Sequence, residues 1–250
     1  MQSYKESLGG MMNRVARVGD TVRRIDKGGA ILHRYLHYLE EAGMAGVPRF
    51  LGIDEQGREV LSFVPGKDQV HDGIDKLPYF RSDETLVDVA RFMRKLHDVS
   101  EGFLPEALEH GWGNPDYPQY TPETICHNDA ACWNFTFVDE RLSGLFDFDT
   151  ACPGTRGWDL TLPLLTFTPL LPLAYDLKRH KCVDYKRKHI PERRRRIRLF
   201  FDAYGMDCPP NLLEMLELRM LDFCKDASGP GLVWWQRVAG HIRETGPDWM

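Results

Sequence analysis

Short apolar runs separated by turn residues fill the first 66 positions of the chain. Val15-Ala16-Arg17-Val18 and Thr21-Val22-Arg23-Arg24 flank the tight turn Gly19-Asp20 and read as paired strands. The period then changes. Ile31, Leu32, Tyr35, Leu36 and Leu39 recur at three- and four-residue spacing, which predicts a helix from Ile31 to Ala42. Val47 to Gly52 and Arg58 to Val64 return to strand character around the turn Asp54-Glu55-Gln56-Gly57, and Pro65-Gly66 ends the second strand. Leu86, Val89, Ala90, Phe92, Met93 and Leu96 predict an amphipathic helix over residues 82–99, with Ser82 as its N-cap. Residues 101–124 carry loop signals, with Trp112, Tyr117 and Tyr120 set among prolines. Past Asp159 the pattern is mainly helical.

One segment, residues 125–160, breaks this regularity with polar groups. The apolar runs Phe135–Val138 and Leu142–Phe146 are joined by the turn signal Asp139-Glu140-Arg141 and predict a β-hairpin. His127, Asp129 and Asn134 stand at its entrance, and Asp147, Asp149 and Asp159 follow its exit. A hairpin brings Asp129, Asn134 and Asp147 together. Carboxylate and amide oxygens at one point suit Mg²⁺, which prefers hard oxygen ligands. Phosphoryl transfer needs such a metal and also a carboxylate to take the proton of the attacking hydroxyl. A zinc site from Cys126, His127 and Cys132 is disfavoured, because structural zinc sites use tighter paired spacing.

His127-Asn128-Asp129, Asn134, Phe146-Asp147-Phe148 and Asp159-Leu160 resemble the catalytic core of the aminoglycoside phosphotransferase family, small-molecule kinases related to protein kinases. That family carries His-Gly-Asp-x4-Asn, then Ile-Asp-Trp/Phe, then Asp-Leu; Asn128 departs from the commoner Gly. The resemblance implies an α+β, bilobal protein-kinase-like fold. A nucleotide-binding lobe over residues 1–66 would carry a small antiparallel sheet and one helix, and a mainly helical catalytic and substrate-binding lobe would follow over 67–250. It implies Asp129 as the catalytic base and Asn134 and Asp147 as Mg²⁺ ligands. It implies that His127, in the catalytic loop, braces it together with Asp159. Ser7 to Asn13, with Gly9 and Gly10, resembles the family's nucleotide loop. Arg23 or Arg24 would pair with ATP phosphates, with Arg23 preferred because it follows the apolar Val22. Backbone groups of Ser62, Phe63 and Val64 would meet adenine. In a typical kinase the following helix supplies a Glu to the phosphate-binding residue. Here the inner turn offers His33 or His37, while Glu40 and Glu41 come late.

Composition narrows the partners. Of the 250 residues, 42% are hydrophobic, enough for one large or two small cores, and the net charge of −5 argues against wholesale nucleic-acid binding. The N-terminus is polar and reads as no signal peptide, and Leu160 to Tyr175 is too short and proline-broken to span a bilayer. Six cysteines without C-x-x-C spacing suggest reduced thiols in a cytoplasm. Residues 178–198 hold 11 of the 32 Lys and Arg against two acids, and Arg193 to Arg196 read as the solvated side of an amphipathic helix. Glu214, Glu217, Asp222 and Asp226 on a C-terminal helix would suit a cationic substrate. The expected activity is ATP- and Mg²⁺-dependent phosphorylation of a hydroxyl on a small molecule, such as an antibiotic. The chain also resembles kinase-fold proteins of peptide-antibiotic immunity, which makes a binding or immunity role the alternative.

Overall fold

Five strands from the first 62 residues form one antiparallel sheet in the order β1-β2-β3-β5-β4. They are β1 (Ser7–Gly9), β2 (Arg14–Val18), β3 (Thr21–Ile25), β4 (Phe50–Ile53) and β5 (Arg58–Ser62). The computed structural model describes residues 7–9, 14–68, 78–113, 120–168, 170, 173–176, 181–184 and 192–249. Ser7-Leu8-Gly9 is a strand paired with β2, where the sequence suggested a turn; Gly10 lies outside the described residues. In the β3–β5 ladder Arg24 stands directly opposite Glu59.

Helix α1 (Gly29–Glu41) starts two residues earlier than its apolar stripe and buries Leu32, Tyr35, Leu36 and Leu39. The Asp26 side chain accepts the Gly29 N–H at 2.9 Å and so satisfies one of the free donors at the helix start. Helix α2 (Asp83–Ser100) begins at Ser82, whose hydroxyl accepts the Thr85 N–H as an N-cap should. The described residues between 101 and 124 are more ordered than their composition suggested: they contain α3 (Leu104–Glu109) and the start of β6 (Thr124–Cys126). Strands β7 (Phe135–Val138) and β8 (Arg141–Leu145) form the expected hairpin, with Arg141 already in the second strand. Its turn is Asp139-Glu140 alone, both in the left-handed region at φ 48° and 64°. β9 (Cys152–Gly154) then pairs with β6.

Among the described residues beyond, the chain is mainly helical as expected: α4 (Arg156–Asp159), α5 (Thr161–Phe167), α6 (Arg193–Tyr204), α7 (Leu212–Asp226) and α8 (Gly229–Thr245). One exception is the small hairpin of β10 (Leu173–Asp176) and β11 (Lys181–Asp184). The basic run is also not simply solvated. Arg193 and Arg196 are buried, and Arg196 binds Asp83 at 2.6 Å and the Phe167 carbonyl at 3.2 Å. A single cluster of buried side chains runs from α1 through α2, the β7–β8 hairpin and α5 to α8.

The first sheet meets the hairpin at Gly66. Its φ of 134° suits glycine, and a Cβ there would stand 2.8 Å from the Phe137 nitrogen. The close approach lets Lys67 and Phe137 exchange backbone hydrogen bonds of 2.8 and 2.9 Å. That contact holds the hairpin, and the polar groups at its mouth, against the end of β5.

Candidate active site

The loop from β6 to β7 is organised by one buried carboxylate. Asp159 Oδ2 accepts the His127 N–H at 2.8 Å, and Oδ1 accepts the Asn128 N–H at 2.7 Å. His97 of α2 reaches the same carboxylate through Nε2 at 2.9 Å, and its Nδ1 lies 2.9 Å from the Tyr204 hydroxyl. Burial alone would push Asp159 up; hydrogen bonding to and the charge of His97, with help from His127, hold it below the ordinary carboxylate value. His127 is also buried. Its Nε2 lies 3.0 Å from the Phe146 carbonyl and its Nδ1 accepts the Asp129 N–H at 3.2 Å. Burial pushes this ring down toward its neutral form. Both nitrogens are committed inside the protein, so His127 positions the loop.

Asn128 has φ 63°, a conformation that glycine adopts freely and asparagine more readily than most residues. The departure from the family's glycine is therefore compatible with the loop. Its side chain is used as well: Nδ2 donates to the Thr150 carbonyl at 3.1 Å, and Oδ1 accepts from Trp158 Nε1 at 3.1 Å.

Asp129 and Asn134 are joined directly. Asn134 Nδ2 donates to Asp129 Oδ2 and to the Asp129 carbonyl, both at 2.7 Å. The Phe146 N–H donates to the Asn134 carbonyl at 2.9 Å, which places Asp147 one residue from that pair. Burial first, and the nearby Asp147 charge, push Asp129 up to about 7, against the opposing Asn134 hydrogen bond. Asp147 sits at φ 68°, with its half-exposed side chain on Arg24.

Arg24 is the hub of the first sheet's contribution. Its Nε donates to Glu59 Oε1 at 2.5 Å, its first terminal nitrogen to Asp147 Oδ1 at 2.5 Å, and its second pairs with Asp149. Of the two candidates it is Arg24, not the preferred Arg23, that faces Asp147 and Asp149. Adjacent strand residues face opposite sides, and Arg23 turns instead to Asp54 at 3.6 Å. Of the glycine pair only Gly9 lies within the described residues, as a strand end. The hinge is less available than expected: the Ser62 N–H donates to the Arg49 carbonyl at 2.9 Å and the Phe63 N–H to the Asp20 carbonyl at 2.8 Å.

Three participants were given no role by the sequence, although Asp149 stood out there as one of the carboxylates that follow the hairpin. Glu59 looked like a strand residue and is fully buried on Arg24. Asp149 is pushed up to about 6 by burial, against the pull of Arg24. Arg219 of α7 is buried beneath the loop and stacks on Trp158, its guanidinium carbon 3.7 Å from the ring centroid. Of the C-terminal acids, Glu217 pairs with Arg243 and Asp222 with Lys225, so these two are partly neutralised.

Hard oxygen donors and an excess of carboxylate fit a divalent cation at Asn134 and Asp147. Asp129 and Asp149 both hold protons more tightly than free carboxylates, chiefly because burial disfavours their charged forms, with the nearby Asp147 charge adding to it. Asp26, His33 and Glu59 also bring ligand-capable atoms within 4.8 Å of one another, but there the Arg24 guanidinium already supplies positive charge to Glu59.

A small antiparallel sheet with one helix, joined to a helical part that presents a carboxylate-bearing loop and hairpin, defines a kinase-like fold. The family model described as the phosphotransferase enzyme family matches residues 114–189. Solved structures agree on the fold. The GDP complex of aminoglycoside 2′-phosphotransferase-IIIa has a TM-score of 0.59 at 17% identity, covering 98% of this chain and 94% of that one. Choline kinase from Cryptosporidium parvum has a TM-score of 0.60 at 10% identity, covering 98% and 89%. Among curated proteins, the trifolitoxin immunity protein of Rhizobium leguminosarum bv. trifolii is 32% identical over 152 residues. That match spans 58% of this chain and about half, 54%, of the relative. Among the described residues no helix is long and apolar enough to cross a membrane.

Proposed function

We propose that the protein is an ATP- and Mg²⁺-dependent phosphotransferase acting on a hydroxyl of a small molecule. The carrying observation is the junction of Asp129 and Asn134 with Asp147, fixed by the Phe146 N–H on the Asn134 carbonyl. Asn134 and Asp147 would hold the metal, and bound Mg²⁺–nucleotide supplies the electrophilic γ-phosphoryl group. Asp129 orients the acceptor hydroxyl and takes its proton at the carboxylate; a base near 7 is matched to neutral pH. Arg24 holds phosphate oxygens. Asp159, His97 and His127 keep the loop in place. Cys126, Cys132, Cys152, Cys208 and Cys224 form no disulfide among the described residues, which fits a reducing cytoplasm.

Thermal unfolding of wild type and Asp147→Ala, each with Mg²⁺–ATP, Mg²⁺–GTP, Mg²⁺ alone and no ligand, tests the nucleotide site. Ligand at about 100 times its Kd adds roughly 2.7 kcal/mol. A shift in wild type that Asp147→Ala loses supports the reading and justifies an acceptor screen by ADP release. No shift with either nucleotide overturns it.

The immunity relative favours a second reading, in which the chain protects against a peptide antibiotic. Phosphorylation of that peptide would unite the two readings. Protection that persists in Asp129→Ala would separate them in favour of binding.

A further inference from the structure

Protein kinases fix their phosphate-binding lysine with a carboxylate from the helix after it, and positioning of that helix controls activity. Helix α1 occupies that place in the chain order, yet its inner turn presents His33, and Glu40 instead reaches Arg49 at 3.2 Å. Arg24 would have no fixed orientation if nothing replaced the missing helix carboxylate.

Glu59 stands opposite Arg24 across the β3–β5 ladder, so backbone register alone delivers its side chain. The three guanidinium nitrogens go to three different carboxylates. Nε binds Glu59, while the two terminal nitrogens face Asp147 and Asp149. Holding Nε fixes the rotation of the planar group, and both terminal nitrogens are thereby aimed at the metal and phosphate side. Glu59 is fully buried, whereas the Asp147 side chain is 42% exposed. An arriving nucleotide therefore meets Asp147 and the terminal nitrogens but has no access to the Glu59 bond.

The other Glu59 oxygen points toward α1. Glu59 Oε2 and His33 Nε2 lie 3.3 Å apart; both atoms are buried, neither completes a hydrogen bond among the described residues, and Asp26 Oδ1 stands 3.4 Å from the same nitrogen. The imidazole is held flat on Phe50 of β4, with ring centroids 3.8 Å apart at 9°. His33 thus lies between the Phe50 ring on one side and Glu59 and Asp26 on the other, a position from which α1 can be linked to the clamp.

We propose that Glu59 is the positioning residue for Arg24, a strand carboxylate in the role of the helix carboxylate of protein kinases, and that His33 keys α1 to it. The inference rests on the phosphotransferase reading, since Arg24 needs aiming only if it receives phosphate.

Calorimetric titration with Mg²⁺–ATP, together with the melting temperature without nucleotide, tests it on wild type, Glu59→Ala, Glu59→Gln, His33→Ala and His33→Gln. Glu59→Ala is expected to weaken Mg²⁺–ATP at least tenfold. Glu59→Gln, which keeps an oxygen for Arg24 Nε, should lose about threefold. His33→Ala should weaken binding and His33→Gln restore most of it. A structural role alone would lower the melting temperature but leave the affinity of the folded protein unchanged; that result in Glu59→Ala overturns the clamp. If Glu59→Ala does not fold, wild-type affinity in Glu59→Gln overturns it equally. Wild type that binds no nucleotide fails the phosphotransferase reading and the clamp with it. Wild type that binds while the Glu59 variants bind as well removes the clamp and leaves the phosphotransferase standing.

Discussion

Arg219, on α7, donates a hydrogen bond of 3.3 Å to the carbonyl of Asn128, 91 residues earlier in the chain. Its second terminal nitrogen donates to the Trp158 carbonyl at 3.3 Å, and its guanidinium covers the Trp158 ring. The helix that carries the acidic candidates for substrate binding is thereby tied to the middle of the His127-Asn128-Asp129 triplet. Arg219→Ala would strand buried carbonyls and lose the ring contact, at a cost of about 3 kcal/mol. For a chain of this size that corresponds to a melting temperature roughly 6–12 °C lower by calorimetry.

Asp159→Asn should be nearly as damaging. Asp159 accepts the backbone N–H groups of His127 and Asn128 on its two oxygens. Asparagine keeps one acceptor and turns an NH₂ group against the other donor. The expected loss is about 2–3 kcal/mol, since a buried donor loses its partner. Hydrogen exchange at His127 and Asn128 should rise before that of α2.

Asp129→Ala is expected to abolish phosphoryl transfer, by at least about a thousandfold, with Mg²⁺–ATP affinity little changed. Asp147→Ala should weaken nucleotide binding itself. Near-wild-type turnover in Asp129→Ala would remove the base assignment.

The raised pKa of Asp129 has a stability consequence of definite sign. The folded carboxyl titrates at about 7 against an ordinary value of 3.8, so the folded state holds its proton more tightly than the unfolded chain. That contribution is fully present below about pH 4 and is lost as pH rises to about 7. In metal-free buffer, wild type should lose melting temperature relative to Asp129→Asn across that window. Equal slopes for the two proteins would contradict the shift.

At the tip of the β7–β8 hairpin, Glu140 holds φ 64° with an exposed side chain. Two-residue turns of this kind favour glycine at the second position. Relief of the left-handed strain exceeds the added unfolded-state entropy of glycine, so Glu140→Gly should stabilise by about 0.5 kcal/mol in urea titrations.

What could be read along the chain was local. The order Asp129, Asn134, apolar hairpin, Asp147 lies within 19 residues, and hairpin geometry alone brings its ends together. The helix stripes of α1 and α2 also showed directly, because their period reports one buried face. The choice between Arg23 and Arg24 could not be made this way. Strand alternation says that they face opposite sides but not which side holds the site.

The sequence by itself pointed to the kinase-like class through its motif resemblance, and it put Asp129, Asn134 and Asp147 at the ends of one hairpin, since those residues lie a few positions apart. Only the tertiary structure decided what surrounds that set. Glu59 meets Arg24 from 35 residues away, and Arg219 reaches Asn128 from 91. Those partners are selected by sheet register and helix packing. An isolated Glu in a strand or Arg on a helix carries no mark of the buried charge it will meet.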